Sequence, residues 1–443
     1  MSIAATVAQC RRGVFAAVAC LLIVGCAALP RLDAVPSDEA SNVTVLGLSD
    51  VRYWGDEDSP TLVREGTAAY FRELSAFRKA GKEGPLPPAD FLAISGGGEN
   101  GAFGAGLLVG WTASGTRPQF KVVTGISTGA LIAPFAFLGP RYDAQLQQIY
   151  TTLSGKDVLE PRSYLAALTQ DALASTSPLR RTMSRYITQA MLDDIAAQYA
   201  KGRLLLIGTT DLDQGRPVVW NIGKLAASHR PGVLNLVRNI LIASAAIPGA
   251  FPPVMIDVEA DGRHYQEMHV DGGASAQVFV YPPSLQIDVT ARQSGIVRTR
   301  HLYVIRNARL DPKWAETKRR TLSIANRAIS TLIQTQGIGD LYRIYVAADR
   351  DKIDFNLASI PETFKVELKQ PFDTAYMRAL FKLGYDLGAK GYVWAKLPPG
   401  YKELGAGPIL NSTETPMRGS SAANAPVKVA VIPRLGTISG GRP

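Results

Sequence analysis

The sequence predicts an α/β fold in which helices cover both faces of a central sheet. Three observations predict it. Short apolar runs that read as buried strands ("DFLAIS", "FKVVTGI", "RLLLIGTTDL", "RPVVWNI" and "HLYVIRNA") recur along the chain. Stretches of helical periodicity separate them, and that alternation is what a sheet buried on both faces requires. Apolar residues make up 46% of the 443 and charged residues 19%, the balance of a globular chain and not of a disordered one.

The elements follow in order. The chain opens on "MSIAATVAQCRRGVFAAVACLLIVGCAALP". Arg11 and Arg12 precede an apolar run over 14–24 that is too short for an ordinary transmembrane helix. A charged start followed by a short apolar run is an export signal, so residues 1–25 are expected to be a signal peptide. The end of the run, "IVGC", resembles the lipobox of bacterial lipoproteins. By that resemblance Cys26 is the acylated first residue of the mature chain and residues 26–42 are a lipidated tether. Ala27, where an aspartate would favour the inner membrane, points to the cell envelope and the outer membrane facing the periplasm. A plain secretory signal or an uncleaved anchor is the alternative. Cys10, Cys20 and Cys26 are the only cysteines, so the rest of the chain carries neither a disulfide nor a cysteine metal site.

Residues 43–88 read as an N-terminal extension. In "SPTLVREGTAAYFRELSAFRKA", Leu62, Ala69, Phe71, Leu74 and Phe77 fall at roughly helical spacing, with Ser59 as cap and Pro60 in the first turn. "GKEGPLPP" ends that helix. Residues 89–285 form the expected catalytic core, with a helix after Gly101, the helix "TGALIAPFAFLG", helical stretches over 142–153 and 189–199, and the helix "LNLVRNILIASAA". Residues 286–403 continue the α/β domain. There "WAETKRRTLSIANRAISTLIQTQGIGDLYRIYVAADRD" reads as a long helix and then a strand, and "DTAYMRALFKLGYDLGAKG" as a last helix. Residues 404–443, rich in Gly, Pro, Ser and Ala, read as a disordered tail.

The formal net charge of +10 is scattered. No basic run with interleaved aromatics occurs, so a nucleic-acid partner is not expected. The four histidines form no HExxH pair, which gives a zinc enzyme little support, and no cofactor is expected.

Three segments carry chemistry. "SGGGENGAFG" follows a strand with five glycines in ten residues, a backbone able to bring N–H groups close to something negative. It lacks the lysine ending of a nucleotide phosphate loop. "GISTG", Gly125 to Gly129, fits GxSxG between a strand and a helix, the layout of a nucleophile elbow. In "HVDGGASA", Asp271 sits between an apolar strand residue and two glycines. A serine nucleophile needs a base. His269 alternates with Asp271 along a strand, and His301 starts another strand. Neither completes a compelling triad, whereas a Ser127–Asp271 dyad needs no histidine. The glycine loop would then stabilise the oxyanion.

Together these motifs resemble the patatin-like phospholipase family. The likeness covers roughly residues 90–280, with "SGGGENG", "GISTG", "ASAAIPGAFPPV" and "VDGG" in the family's order. It implies a patatin-type three-layer α/β/α sandwich with a central mostly parallel sheet, and hydrolysis of lipid acyl esters without metal. It makes Ser127 the nucleophile and Asp271 the base, and puts Gly96, Gly97, Gly98 and Gly101 in the oxyanion loop. One position departs: before the last loop glycine, where the family commonly has Arg or Lys, stands Asn100. The expected partners are a lipid or acyl-ester substrate and, through Cys26, a membrane. An esterase or thioesterase for soluble acyl substrates, and a non-catalytic lipid-binding envelope protein, are the rival readings.

Overall fold

A computed structural model describes residues 29–162, 171–312 and 314–401, apart from the side chains of Leu322 and Asn326. These residues belong to one compact unit that runs to Tyr401. The signal peptide, Cys26 and the tail expected over 404–443 lie outside the described residues.

The chain enters through β1 (Arg52–Trp54) and α1 (Pro60–Lys79), whose N-cap Ser59 accepts the Leu62 amide with Pro60 in the first turn, as the sequence suggests. Next come β2 (Ala89–Ile94), a single 3₁₀ turn over Gly98–Asn100 and α2 (Gly101–Ala113). β3 (Val122–Ile126) leads directly into α3 (Thr128–Leu138). Helices α4 (Asp143–Thr152) and α5 (Gly155–Val158) precede a short side ribbon of β4 (Glu160–Pro161) and β5 (Ala174–Ser175). Helices α6 (Ser177–Tyr186) and α7 (Gln189–Ala200) lead to the hairpin of β6 (Leu204–Asp211) and β7 (Arg216–Asn221). Then follow α8 (Ile222–Ala227), α9 (Val233–Ser244) and the hairpin of β8 (Val254–Ala260) and β9 (Arg263–Asp271). The last elements are α10 (Ile287–Gln293), β10 (Arg300–Arg306), α11 (Thr321–Arg350), β11 (Asp354–Ser359) and α12 (Thr374–Ala389).

Nine strands make one mixed sheet in the order β1-β7-β6-β3-β2-β10-β11, with β9 also on β6 and β8 on β9. The run β6-β3-β2-β10-β11 is parallel throughout. Alternation along β2 shows the layering. Leu92 and Ile94 pack with Phe103 of α2 and Ile132 of α3, while Phe91 and Ala93 pack with Leu341 and Ile344 of α11. The three-layer α/β/α arrangement expected from the sequence follows.

Three features differ from expectation. From Arg31 onward the span read as a tether is packed onto the domain: Arg31 pairs with Asp213 at 2.7 Å, and Val35 and Ala40 are buried in the main core. Its scattered apolar residues are too few for periodicity to flag them. The segment read as a helix and then a strand is helical through Arg350, and the strand begins at Asp354. β8, rich in charge on its exposed positions, had no apolar run to announce it.

Candidate active site

One strand aligns the candidate pair. On a single edge of β6, Gly208 is partnered by Ile126 at the end of β3, and the next residue, Thr209, by Asp271 at the end of β9. β3 runs parallel to β6 and β9 antiparallel to it, so the two strands meet end to end along that edge. Ser127 follows Ile126 directly. Residues 144 positions apart in sequence therefore share one site, because both strands end at the same point on β6.

Ser127 has φ 55 and ψ −126, a left-handed conformation that a side-chain-bearing residue adopts at a cost. Such strain is what the sharp strand-to-helix turn of a nucleophile elbow demands. Close approach makes the flanking glycines necessary: a Cβ on Gly129 would run into the backbone of Ile94 and Ser95. The turn is held from below by Ser244 at the end of α9. Its Oγ accepts the Ser127 amide hydrogen at 3.0 Å and donates to the Gly208 carbonyl at 2.6 Å.

Asp271 is 4% exposed. Its Oδ1 accepts the Gly273 amide at 2.7 Å, while Oδ2 is buried without a hydrogen bond of ordinary geometry. Burial pushes its carboxyl up to about 7, against hydrogen bonding from Ser127 and then from the Gly273 amide. No hydrogen bond of ordinary geometry joins the Ser127 hydroxyl to Asp271; catalytic pairs are often loose before substrate tightens them.

The glycine loop splits into two uses. The Gly96 amide is taken by the Gln277 carbonyl at 3.0 Å, and Gly101 exists for close packing, since a Cβ there would strike the Thr128 side chain. Gly97, with φ 156, lies against Asn307, whose carbonyl a Cβ would meet. A Cβ on Gly98 would meet nothing within 4 Å, so that side of the loop is open. The amides of Gly97, Gly98 and the first helical residue Thr128 are among the donors here with no assigned acceptor among the described residues. They can serve a developing oxyanion, helped by the positive end of α3.

Asn307 was not legible as part of the site. It accepts the Gly104 amide at 3.0 Å and donates from Nδ2 to the Ser95 carbonyl at 2.9 Å, fixing both ends of the glycine loop. Its only signal is a polar residue at the end of an apolar strand. Asn100 accepts a 2.6 Å bond from the hydroxyl of Tyr376 on α12, so the departure from the family's basic residue has a local partner.

The histidines lie elsewhere. His301 is the second residue of β10, opposite Asp90, the second of β2, and its Nδ1 sits 2.9 Å from Asp90. That is the end of the parallel strands away from Ser127. His269 Nδ1 is 3.0 Å from Thr209 Oγ1, and its Nε2 is 3.1 Å from Glu267. With Asp211 these are the potential cation ligands gathered among the described residues, all within 4.8 Å of one another. Arg52, 2.7 Å from Glu267, already supplies a positive charge.

Above Ser127 opens a cavity of about 70 Å³. Gly98, Glu99 and Thr128 line its floor; Leu131, Ile149, Leu179, Met183 and Phe251 are among its apolar walls. Burial pushes the Glu99 carboxyl above its ordinary range, which favours its neutral form beside this apolar space.

Residues 92–282 match the model of the family described as patatin-like phospholipase. That family is one of serine hydrolases, and the fold and enzyme class expected from the sequence agree with the match. No curated protein matches the chain. Among solved structures, VipD from Legionella pneumophila is similar at 11% identity and a TM-score of 0.32, covering 69% of this chain and 66% of its own. Human GIVD cytosolic phospholipase A2 is similar at 11% identity and a TM-score of 0.26, covering 64% of this chain and 51% of its own. At these values neither likeness bears on activity.

Proposed function

We propose that this protein is a lipid acyl hydrolase of phospholipase A or esterase type, with Ser127 as nucleophile and Asp271 as its base. The observation that carries the reading is the meeting of the strained serine elbow and a buried, proton-avid carboxylate at one point on β6, beneath an apolar cavity. Ser127 Oγ attacks the ester carbonyl carbon while its proton passes to Asp271. The amides of Gly97, Gly98 and Thr128 hold the oxyanion. The tetrahedral adduct collapses, breaking the bond to the leaving alcohol, which takes the proton back from Asp271. Water then attacks the acyl-serine, delivering its proton to Asp271; the second adduct collapses by breaking the bond between the acyl carbon and Ser127 Oγ, which takes the proton back from Asp271 as the carboxylic acid leaves. Labelling by a fluorophosphonate tests the reading: wild type should be labelled and Ser127→Ala should not.

The small cavity volume favours a second reading, an esterase or thioesterase for short soluble acyl groups. A chain-length series of p-nitrophenyl esters separates the two. Turnover per site that rises with acyl length supports the lipid hydrolase; a maximum at two to four carbons supports the alternative. The signal peptide over 1–25, acylation of Cys26 and an outer-membrane location belong to the same proposal and rest on the sequence alone.

A further inference from the structure

The first half of α11 carries an aliphatic face that no described residue buries. No described side chain of this helix before Gly337 is buried. Ala325, Ala328, Ile329 and Leu332 follow the i, i+3, i+4, i+7 spacing of one face, and Leu332 is 68% exposed. On a surface helix such a face normally packs against the core. Just before the helix, Trp314 is 84% exposed, and Lys318, Arg319 and Arg320 are exposed with no acidic partner among the described residues.

The middle of this helix lies beside the site. Gln336 accepts from Gln277 Nε2 at 3.2 Å, and the same amide donates to the carbonyl of Gly273, two residues past Asp271. Gln334 Nε2 donates to the Arg309 carbonyl, and Arg309 to the Phe364 carbonyl. The loop after Phe364 carries exposed Val366 and Leu368 and leads to Phe372 of the cavity wall. From Gln336 back to Thr321 the helix extends about 22 Å at the usual rise per residue.

We propose that the exposed face of α11 and the basic, Trp-bearing segment before it dock the protein on an anionic phospholipid surface beside the mouth of the site. The inference rests on the lipid-hydrolase reading for its purpose. Its chemistry rests on charge complementarity: three consecutive cations without an acidic partner among the described residues call for an anionic partner, and the aliphatic face beside them calls for an apolar one. The boundary between headgroups and acyl chains offers both in one plane, with a tryptophan at the level where its ring is at home. No described helix is long and apolar enough to cross a membrane, so α11 would lie on the surface.

The test uses the full chain as Cys26→Ser, so that no acyl anchor contributes, with Ile329→Asp/Leu332→Asp and Lys318→Glu/Arg319→Glu/Arg320→Glu introduced on that background. Flotation with phosphatidylglycerol-containing and pure phosphatidylcholine vesicles is read beside hydrolysis of vesicle phospholipid and of p-nitrophenyl butyrate. Both variants should lose at least tenfold in binding to anionic vesicles and in vesicle turnover, and keep butyrate turnover within twofold of the parent. The parent should bind phosphatidylcholine at least tenfold more weakly. Unchanged vesicle binding in both variants overturns the proposal. So does a parent dimer in sedimentation that Ile329→Asp/Leu332→Asp converts to monomer, because the face is then covered by a second copy. A parent that hydrolyses neither substrate sinks the hydrolase reading instead, and the flotation arm still decides the surface.

Discussion

The hydroxyl of Ser244 accepts the amide hydrogen of Ser127 at 3.0 Å, across 117 residues of sequence. That amide belongs to the strained elbow, so Ser244 stabilises the conformation that presents the proposed nucleophile. Ser244→Ala leaves the Ser127 amide and the Gly208 carbonyl unsatisfied in a buried place. Stability should fall by about 1–3 kcal/mol, read from denaturant unfolding. As a positioning residue Ser244 should act mainly on kcat with KM little changed; an unaltered kcat in the folded variant would leave it a purely structural role.

Ser127→Ala should fold as wild type and lose ester hydrolysis. Loss of a left-handed serine with no other buried partner removed gives no reason for unfolding. Wild-type turnover by the purified variant on p-nitrophenyl esters would show that the elbow is not the nucleophile's place.

The pH dependence follows from Asp271. It must be ionised to take the serine proton, and burial holds its carboxyl up to about 7. kcat/KM should therefore fall about tenfold per pH unit below that value and level off above it. Stability moves the opposite way. A carboxyl whose folded pKa is raised binds its proton more tightly in the native state, so its contribution is present at low pH and lost as pH rises through about 7. Asp271→Asn should be inactive yet more stable than wild type at pH 8, on the order of 4 kcal/mol, with the advantage shrinking as pH falls below 7 and gone near pH 4. Equal melting of the two proteins at both pH values would contradict a buried, ionised Asp271.

Gly97→Ala and Gly98→Ala separate the two sides of the glycine loop. The first drives a Cβ into the Asn307 carbonyl, so the loop must shift; kcat should drop by about 10²–10³-fold if an oxyanion donor moves with it. The second meets open space and bears only the cost of φ 56, about 1 kcal/mol, with a smaller loss of kcat. Comparable kcat for wild type and Gly97→Ala, with the fold intact, would assign the loop another task.

His301→Gln and His269→Gln should keep kcat within a few-fold. His301 lies at the far end of the parallel strands, and His269 is engaged with Thr209 and Glu267. A loss of orders of magnitude in a folded His301→Gln protein would revive a triad.

Much of this was legible in the sequence because the parallel strands are buried on both faces and read as uninterrupted apolar runs. Ser127 and Asp271 were legible because glycines mark the tight turns beside them. Ser244 lay inside a recognised motif, but its task is visible only once α9 reaches the elbow. Asn307, Gln277 and Tyr376 act across gaps of many residues through single polar side chains, for which sequence holds no periodic signal. The packed residues after Arg31 were hidden for a different reason: they bury isolated side chains, and nothing short of their tertiary partners distinguishes them from a linker.

Because β6 is the strand that β3 and β9 share, the distance between Ser127 and Asp271 is decided by how β9 is hydrogen-bonded to it. A slip of one residue would carry Asp271 about 3.3 Å along the edge and turn its side chain to the opposite surface. Misfolded or partly annealed chains with that hairpin displaced could keep most of their helix and sheet and still be inert. Titrating reactive serines with a fluorophosphonate therefore counts properly assembled molecules, and the ratio of that count to total protein measures refolding yield where circular dichroism would be blind.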